Sequence, residues 1–276
     1  MVATPIGNLG DLTHRAADHL GRVDAVLCED TRVTRRLMDA YGLRPPLVSY
    51  HEHNAEQRRP EVLRRLAEGQ ALALVSDAGT PLVSDPGYKL VRDVQDAGFP
   101  VRALPGASAA LAALAIAGLP TDRFFFQGFL PSKQGQRRSV LAELSGLRAS
   151  LVFYESPQRL NRSLADMAEL LGARDAAVGR ELTKRFEELV RASLPELAAR
   201  FREAPKGEIV VVVGPPAEDA GLADAAAVDA RLTEALRTQS VRDAAAEVAA
   251  ETGWKKKQVY DRALQLKRDG ATGGDR

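Results

Sequence analysis

The chain has 276 residues, enough for two or three domains that each bury a core. Hydrophobic residues at 45% and charged residues at 27% give the balance of a globular protein in water rather than of a disordered or membrane-spanning chain. The 38 basic and 37 acidic side chains nearly cancel, so only local patches can point to a polyanionic partner.

A single cysteine, Cys28, excludes an intramolecular disulfide and a thiolate zinc cluster. No run approaches the roughly 20 apolar residues of a membrane-spanning helix, and no basic region followed by an apolar signal core opens the chain. These features predict a cytoplasmic protein with no membrane partner.

Val2–Thr4 reads as the end of a buried strand, and a chain that starts on it predicts a truncated first strand or a start assigned too far downstream. From there to residue 118, short apolar runs alternate with amphipathic segments, as a mostly parallel sheet covered by helices requires. Strands are predicted at 2–4, 25–28, 47–49, 71–76 and 101–104. Helices are predicted at 12–20, 31–41, 55–67, 89–97 and 108–117.

Gly118-Leu-Pro120 punctuates the chain before a second α/β domain over 119–214. Its predicted strands are 124–128, 151–154, 176–179, 187–192 and 208–213, and its helices 137–144, 160–171 and 194–201. Ser193 with Glu196 makes a capping box, with Pro195 near the helix start. Pro215-Pro216 and the small, acidic residues that follow predict a linker over 215–227. Three helices, 228–236, 241–250 and 256–266, then fit a helix-turn-helix over 228–267, with Ser240 as an N-cap, Thr252-Gly253 as a tight turn and a tail over 268–276.

Two loops stand out, Ser76-Asp-Ala-Gly-Thr-Pro-Leu-Val-Ser-Asp-Pro-Gly87 and Pro105-Gly-Ala-Ser-Ala109. Both directly follow predicted strands, where open α/β sheets place ligands. Each alone reads equally as an ordinary turn. With Thr4-Pro-Ile-Gly-Asn8 at a third strand end, they predict a pocket whose ligand composition does not name. No dinucleotide fingerprint, P-loop, His-Glu-x-x-His or Gly-x-Ser-x-Gly elbow occurs. Glu29-Asp-Thr-Arg32 joins a strand to a helix, with Asp30 as the expected cap. His51-Glu-His-Asn54 reads as a polar substrate-contacting or structural loop, with a metal site as the alternative. Lys133, Arg137 and Arg138, and later Lys255-Lys-Lys257, are the clearest positive clusters, either solvated faces or phosphate contacts.

Together these motifs, with Gly128-Phe-Leu-Pro131, Tyr154-Glu-Ser-Pro157 and Arg180-Glu-Leu-Thr-Lys184, resemble the tetrapyrrole methylase superfamily of class III methyltransferases nearly end to end. Within it they resemble the branch that methylates a cytidine 2′-hydroxyl in 16S ribosomal RNA. The resemblance implies two α/β domains with S-adenosylmethionine in the cleft between them, a homodimer, no metal, and a C-terminal all-α helix-turn-helix that the small-molecule members lack. It places Pro5, Asp77, Ala78, Gly79, Thr80, Pro81, Gly106, Ala107, Ser108, Tyr154 and Leu182 around the cofactor.

Glu29, Asp30, Arg32, His53 and Glu155 form the expected catalytic set, with the base unassigned. Lys133, Lys255, Lys256, Lys257 and Arg262 are expected to hold RNA, the partner being the small ribosomal subunit. The competing readings are a tetrapyrrole or other small-molecule methylase, and a DNA-binding regulator that senses a nucleotide.

Overall fold

The aliphatic runs pair into two separate sheets in the computed structural model, which describes residues 1–84, 87–217, 225–252, 254 and 256–272. Both sheets belong to one compact unit, Met1–Pro215, and a second unit spans Pro216–Arg276. In chain order the first sheet and its helices are α1 (His14–Leu20), β1 (Ala25–Cys28), α2 (Thr31–Ala40), β2 (Leu47–Ser49), α3 (Ala55–Ala67), β3 (Leu72–Leu74), α4 (Tyr88–Asp96) and α5 (Ala109–Ile116). All four residues of β1 are buried, as a parallel strand covered on both faces must be, and β2 and β3 flank it in parallel.

The expected strands at 2–4 and 101–104 are reduced to single bridges. Val2 sits between Val75 and Leu104 in parallel register, while Thr4 pairs antiparallel with Gly79. Pro5 and Pro105 follow directly, and neither has an N–H to continue a ladder.

The second sheet is built from β4 (Phe124–Phe129), α6 (Gln134–Leu144), β5 (Ser150–Glu155), α7 (Pro157–Leu171), β6 (Asp175–Arg180), β7 (Glu188–Ser193), α8 (Leu194–Arg200) and β8 (Ile209–Val213). Its order is β4-β5-β8-β6-β7, and only β4 and β5 run parallel. The fully buried β8 therefore lies at the centre. On one face Leu151, Phe153, Val178 and Val211 pack against Leu160, Leu164, Met167, Leu194 and Leu197. On the other, Val152, Ala177, Val210 and Val212 pack with Ile6 and with Ala110, Ala113 and Leu114 of α5, so small residues bring α5 onto the second sheet.

The second unit comprises α9 (Ala225–Ala235), α10 (Val241–Thr252) and α11 (Lys256–Thr272). Val228, Leu232, Ala245, Val248, Val259 and Ala263 form its core. Ser240 caps α10 as expected, its Oγ accepting from Asp243 N at 3.2 Å. Linker residues 218–224 and Gly253 lie outside the described residues. Among the described residues no helix is long and apolar enough to cross a membrane.

Arg137 and Asp166 form an ion pair of 2.6 Å between α6 and α7, with side chains only 3% and 5% exposed. Removing one partner of such a pair leaves a buried charge, at a cost of about 3–5 kcal/mol. Arg137→Met is therefore expected to lower the melting temperature by roughly 6–20 °C. Arg138→Ala, which loses a half-exposed pair with Glu169 and a 3.4 Å contact to Asp166 but leaves the 2.6 Å Arg137–Asp166 pair in place, should lower it by less in the same differential scan.

Candidate active site

Four loops are fastened together at the strand ends of the first sheet. Thr4 Oγ1 donates to Ser76 O at 3.1 Å, and Ser76 Oγ donates to Gly79 O at 3.0 Å. Gly79 has φ of 80°, and a Cβ there would lie 3.3 Å from Ile6 Cγ2, so glycine both adopts the turn and admits Ile6. Thr80 Oγ1 donates to Ala107 O at 3.1 Å, tying the 77–81 loop to the 105–108 loop. A Cβ on Gly106 would come within 2.9 Å of the Ala3 side chain. The Asp30 N–H donates to Asp77 Oδ1 at 3.1 Å, adding the loop after β1.

This framework forms one wall of a cleft of about 370 Å³. Ile6, Ala78, Gly79, Thr80, Val83, Ser84, Ser108 and Ala109 face Phe129, Tyr154, Glu155, Ser156, Pro157 and the 207–210 segment across it. Phe126 and Phe129 meet the Tyr154 ring edge-on at 5.0 and 5.6 Å between centroids, which fixes that ring in the opposite wall. A β-bulge places Gly128 at φ of 71°, where a Cβ would come within 2.8 Å of Ser84 Oγ, so the bare backbone lets the 82–84 turn approach the second sheet.

A second cleft of about 760 Å³ adjoins it, lined by Glu29, Asp30, Thr31, Arg32, Ser49, His51, Glu52, His53, Asp77 and Ser84. The two share Ser84, and the consecutive residues Asp77 and Ala78 face one cleft each. Asp30 caps α2 through Arg32 N at 2.8 Å and also receives Arg32 Nε and Nη2 at 3.1 and 2.7 Å. The side-chain and backbone hydrogen bonds from Arg32 hold the Asp30 carboxyl down at about 2. His51 and His53 stand edge to face with ring centroids 5.9 Å apart, and His51 Nδ1 is buried with no hydrogen-bond partner among the described residues.

Of the residues expected around a cofactor, Ala78, Gly79, Thr80, Ser108 and Tyr154 line the first cleft. Pro5 and Pro81 are buried, Gly106 and Ala107 support the wall, Asp77 opens into the second cleft, and the Leu182 side chain packs in the core beside Ile6. Glu29, Asp30, Arg32 and His53 line the second cleft together. Glu155 stands apart from them in the first cleft. It is buried, accepts from Ser156 N at 2.8 Å and from Ser163 Oγ, and pairs with Arg159 at 3.2 Å, so its carboxylate is engaged at the start of α7. Ile6, Val83 and Ser84 lie within the Thr4–Asn8 and Ser76–Gly87 loops without standing out there, and Ser49 lies outside every motif. Phe129 sits within Gly128-Phe-Leu-Pro131, and Glu208 heads the apolar run of β8.

Lys133 is exposed at the N-terminus of α6. Arg137 and Arg138 are committed to Asp166 and Glu169, which corrects their reading as free positive charge. In the second unit Lys256 and Lys257 are exposed, whereas Lys255 lies outside the described residues. Arg262 clamps Asp229 through two bonds of 2.6 Å, an α9–α11 brace rather than an open phosphate ligand. A third cavity, about 440 Å³ and mainly apolar, is lined by Leu27, Val62, Leu74, Leu90, Val94 and Phe99 among others.

The sequence profile of the tetrapyrrole (corrin/porphyrin) methylases matches residues 1–198, and that of the RsmI C-terminal HTH domain matches residues 223–267. A cobalt precorrin-4 methyltransferase superposes with a TM-score of 0.57 at 17% identity, covering 77% of this chain and 92% of its own. Diphthine synthase does so with a TM-score of 0.58 at 15% identity, covering 77% and 88%. Such likeness shows the fold alone. The chain belongs to the tetrapyrrole methylase family. Within it, the chain groups with proteins named ribosomal RNA small subunit methyltransferase I. That of Mesorhizobium japonicum is 50% identical, with 97% of this chain and 91% of the relative covered. That of Escherichia coli O157:H7 is 44% identical, with 96% and 94% covered.

The Asp30–Arg32 pair is open to a direct titration. Because the carboxyl is held below its ordinary value of 3.8, the pair contributes stability above that pH and loses it as pH falls toward 2. In a carbon-detected NMR titration Asp30 is expected to titrate near 2, and Arg32→Ala should return its midpoint toward 3.8.

Proposed function

We propose that the chain transfers a methyl group from S-adenosylmethionine to the 2′-hydroxyl of a cytidine ribose in 16S RNA of the small ribosomal subunit. The observation that carries this reading is the junction of two unlike clefts at Asp77–Gly79 and Ser84. One has the volume and mixed lining of a small-molecule site, typically about 300–1,000 Å³. The other is polar and wider, as a sugar with its phosphates requires. The names of the relatives and the C-terminal helical match supply the RNA.

The first cleft fits S-adenosylmethionine by its donor set. Gly79 presents bare backbone, Ser108 a hydroxyl, and Tyr154 and Phe129 aromatic surface. When bound, S-adenosylmethionine supplies an electrophilic methyl group on a positively charged sulfur. The chain's task is to hold the acceptor oxygen in line with it, and the shared wall at Asp77–Ser84 is where the two sites meet.

A ribose hydroxyl must also lose its proton. Asp30, held near 2 by Arg32, is too weak a base at neutral pH, so its role is to fix the guanidinium toward the developing negative charge on oxygen. His53 is then the proton acceptor, with Glu29 and Asp77 orienting the ribose. Glu155 shapes the opposite wall. Lys133 and the Lys256–Lys257 pair hold RNA phosphates. The active form is a cytoplasmic homodimer, for which exposed Phe124 and Phe125 on edge strand β4 and Leu111 and Ile116 on α5 offer apolar surface.

Purified protein given methyl-labelled S-adenosylmethionine with unmodified small subunits, and separately with free 16S RNA, is expected to yield 2′-O-methylcytidine by mass spectrometry. Label on a base, or none in RNA, contradicts the proposal. Arg32→Ala and His53→Ala should each lower turnover by about 10²–10⁴-fold while the cofactor Kd stays within about twofold. Reversing both charges, Lys256→Glu with Lys257→Glu, should weaken RNA binding and flatten the salt dependence of log K by about two units.

A further inference from the structure

The segment Arg180-Glu-Leu-Thr-Lys184 takes no part in the chemistry above, yet it is strained. Glu181 and Thr183 hold φ of 49° and 66°, conformations that side chains other than glycine rarely adopt and that persist only where the surroundings enforce them. Glu181 is held by the 207–208 segment of one wall of the first cleft, and Lys184 reaches from it to the other. The Lys184 stem lies flat on Gly7, where a Cβ would come within 2.9 Å of Lys184 Cγ, Cδ and Cε. The ammonium reaches Glu181 Oε1 at 2.9 Å and Glu208 Oε2 at 3.1 Å. Glu181 in turn accepts from Glu208 N at 2.9 Å and donates its own N–H to Glu208 O at 3.0 Å. A Cβ on Gly207 would come within 2.6 Å of the Glu181 side chain, so that loop too is seated without clearance.

Gly7 directly follows Ile6 of one wall, and Gly207 and Glu208 belong to the other. We propose that Lys184 is a positioning residue that latches these two walls at a fixed separation, and so sets the affinity of the cleft for S-adenosylmethionine. The inference rests on the cofactor reading of that cleft. A latch stores its effect in preorganisation: the core packing of Ile6 and α5 on the second sheet keeps the walls together, and without Lys184 the slack left between Gly7 and the 207–208 segment must be taken up by the bound molecule, which weakens binding and leaves the bound geometry intact. Burial opposes the charge on Lys184, but the bonds to Glu181 and Glu208 outweigh it and hold the ammonium protonated.

The test is calorimetric titration of S-adenosylmethionine into wild type, Lys184→Ala and Lys184→Met, with steady-state kinetics on RNA alongside. Lys184→Ala is expected to raise the Kd and KM for S-adenosylmethionine about tenfold, with turnover at saturating cofactor within about twofold of wild type. Lys184→Met, which keeps the stem over Gly7 and loses both ion pairs, should give an intermediate Kd, and it decides the matter if the alanine variant does not fold. A Kd within twofold of wild type in the folded variants overturns the latch, even with a lower melting temperature. So does reduced turnover with KM unchanged. Failure of the wild type itself to bind S-adenosylmethionine overturns the cofactor reading instead.

Discussion

Thr4 and Gly79 exchange both backbone hydrogen bonds, at 2.9 and 3.0 Å, and the rest of the site is built outward from that pair. Thr4 is buried, so neither its N–H nor its carbonyl has water as an alternative partner, and the pairing is enforced. It fixes Ile6 and Gly7 on one side and the 77–81 turn on the other. Thr80 then carries the constraint to Ala107, and Asp77 carries it to the backbone of Asp30. Four loops that are far apart in sequence thus become one surface without a regular strand at either end of the chain of contacts.

That surface separates two environments. On one side aromatic rings, bare glycine backbone and a few oxygen acceptors suit a compact molecule with a polar end and a flat end. On the other, carboxylates, imidazoles and a guanidinium crowd a wider opening. The Asp30–Arg32 pair shows why the crowding is tolerable: each charge is satisfied by its neighbour, and Asp30 is removed from the list of competent bases by the same bonds that orient Arg32.

Much of this is legible in the sequence where periodicity and caps decide it. The buried run Ala25–Cys28, the capping box at Ser193 and Glu196, and the N-caps Asp30 and Ser240 all fall where local chemistry puts them. The order of the second sheet does not, because an apolar run such as β8 is compatible with either direction and with any buried position; the long-range packing of α5 on β8 and β5 settles it. Charge is misread for the same reason. Arg137 and Arg138 read as a solvated face or phosphate contacts and Arg262 as a phosphate ligand, and only the fold reveals Asp166, Glu169 and Asp229 opposite them. Leu82 and Ser84 take left-handed φ without any residue that favours it, so the 76–87 loop is legible as a turn but the conformation that joins the two clefts is not.

The division of labour between the clefts is tested most directly by a crystal structure of the protein with S-adenosylhomocysteine. The ligand is expected between Gly79, Ser108 and Tyr154, with its sulfur directed at the shared Asp77–Ser84 wall and the polar cleft still open beside it. Density for the ligand in the polar cleft among Arg32, His51 and His53, or in the apolar cavity beside Leu74 and Phe99, would contradict it.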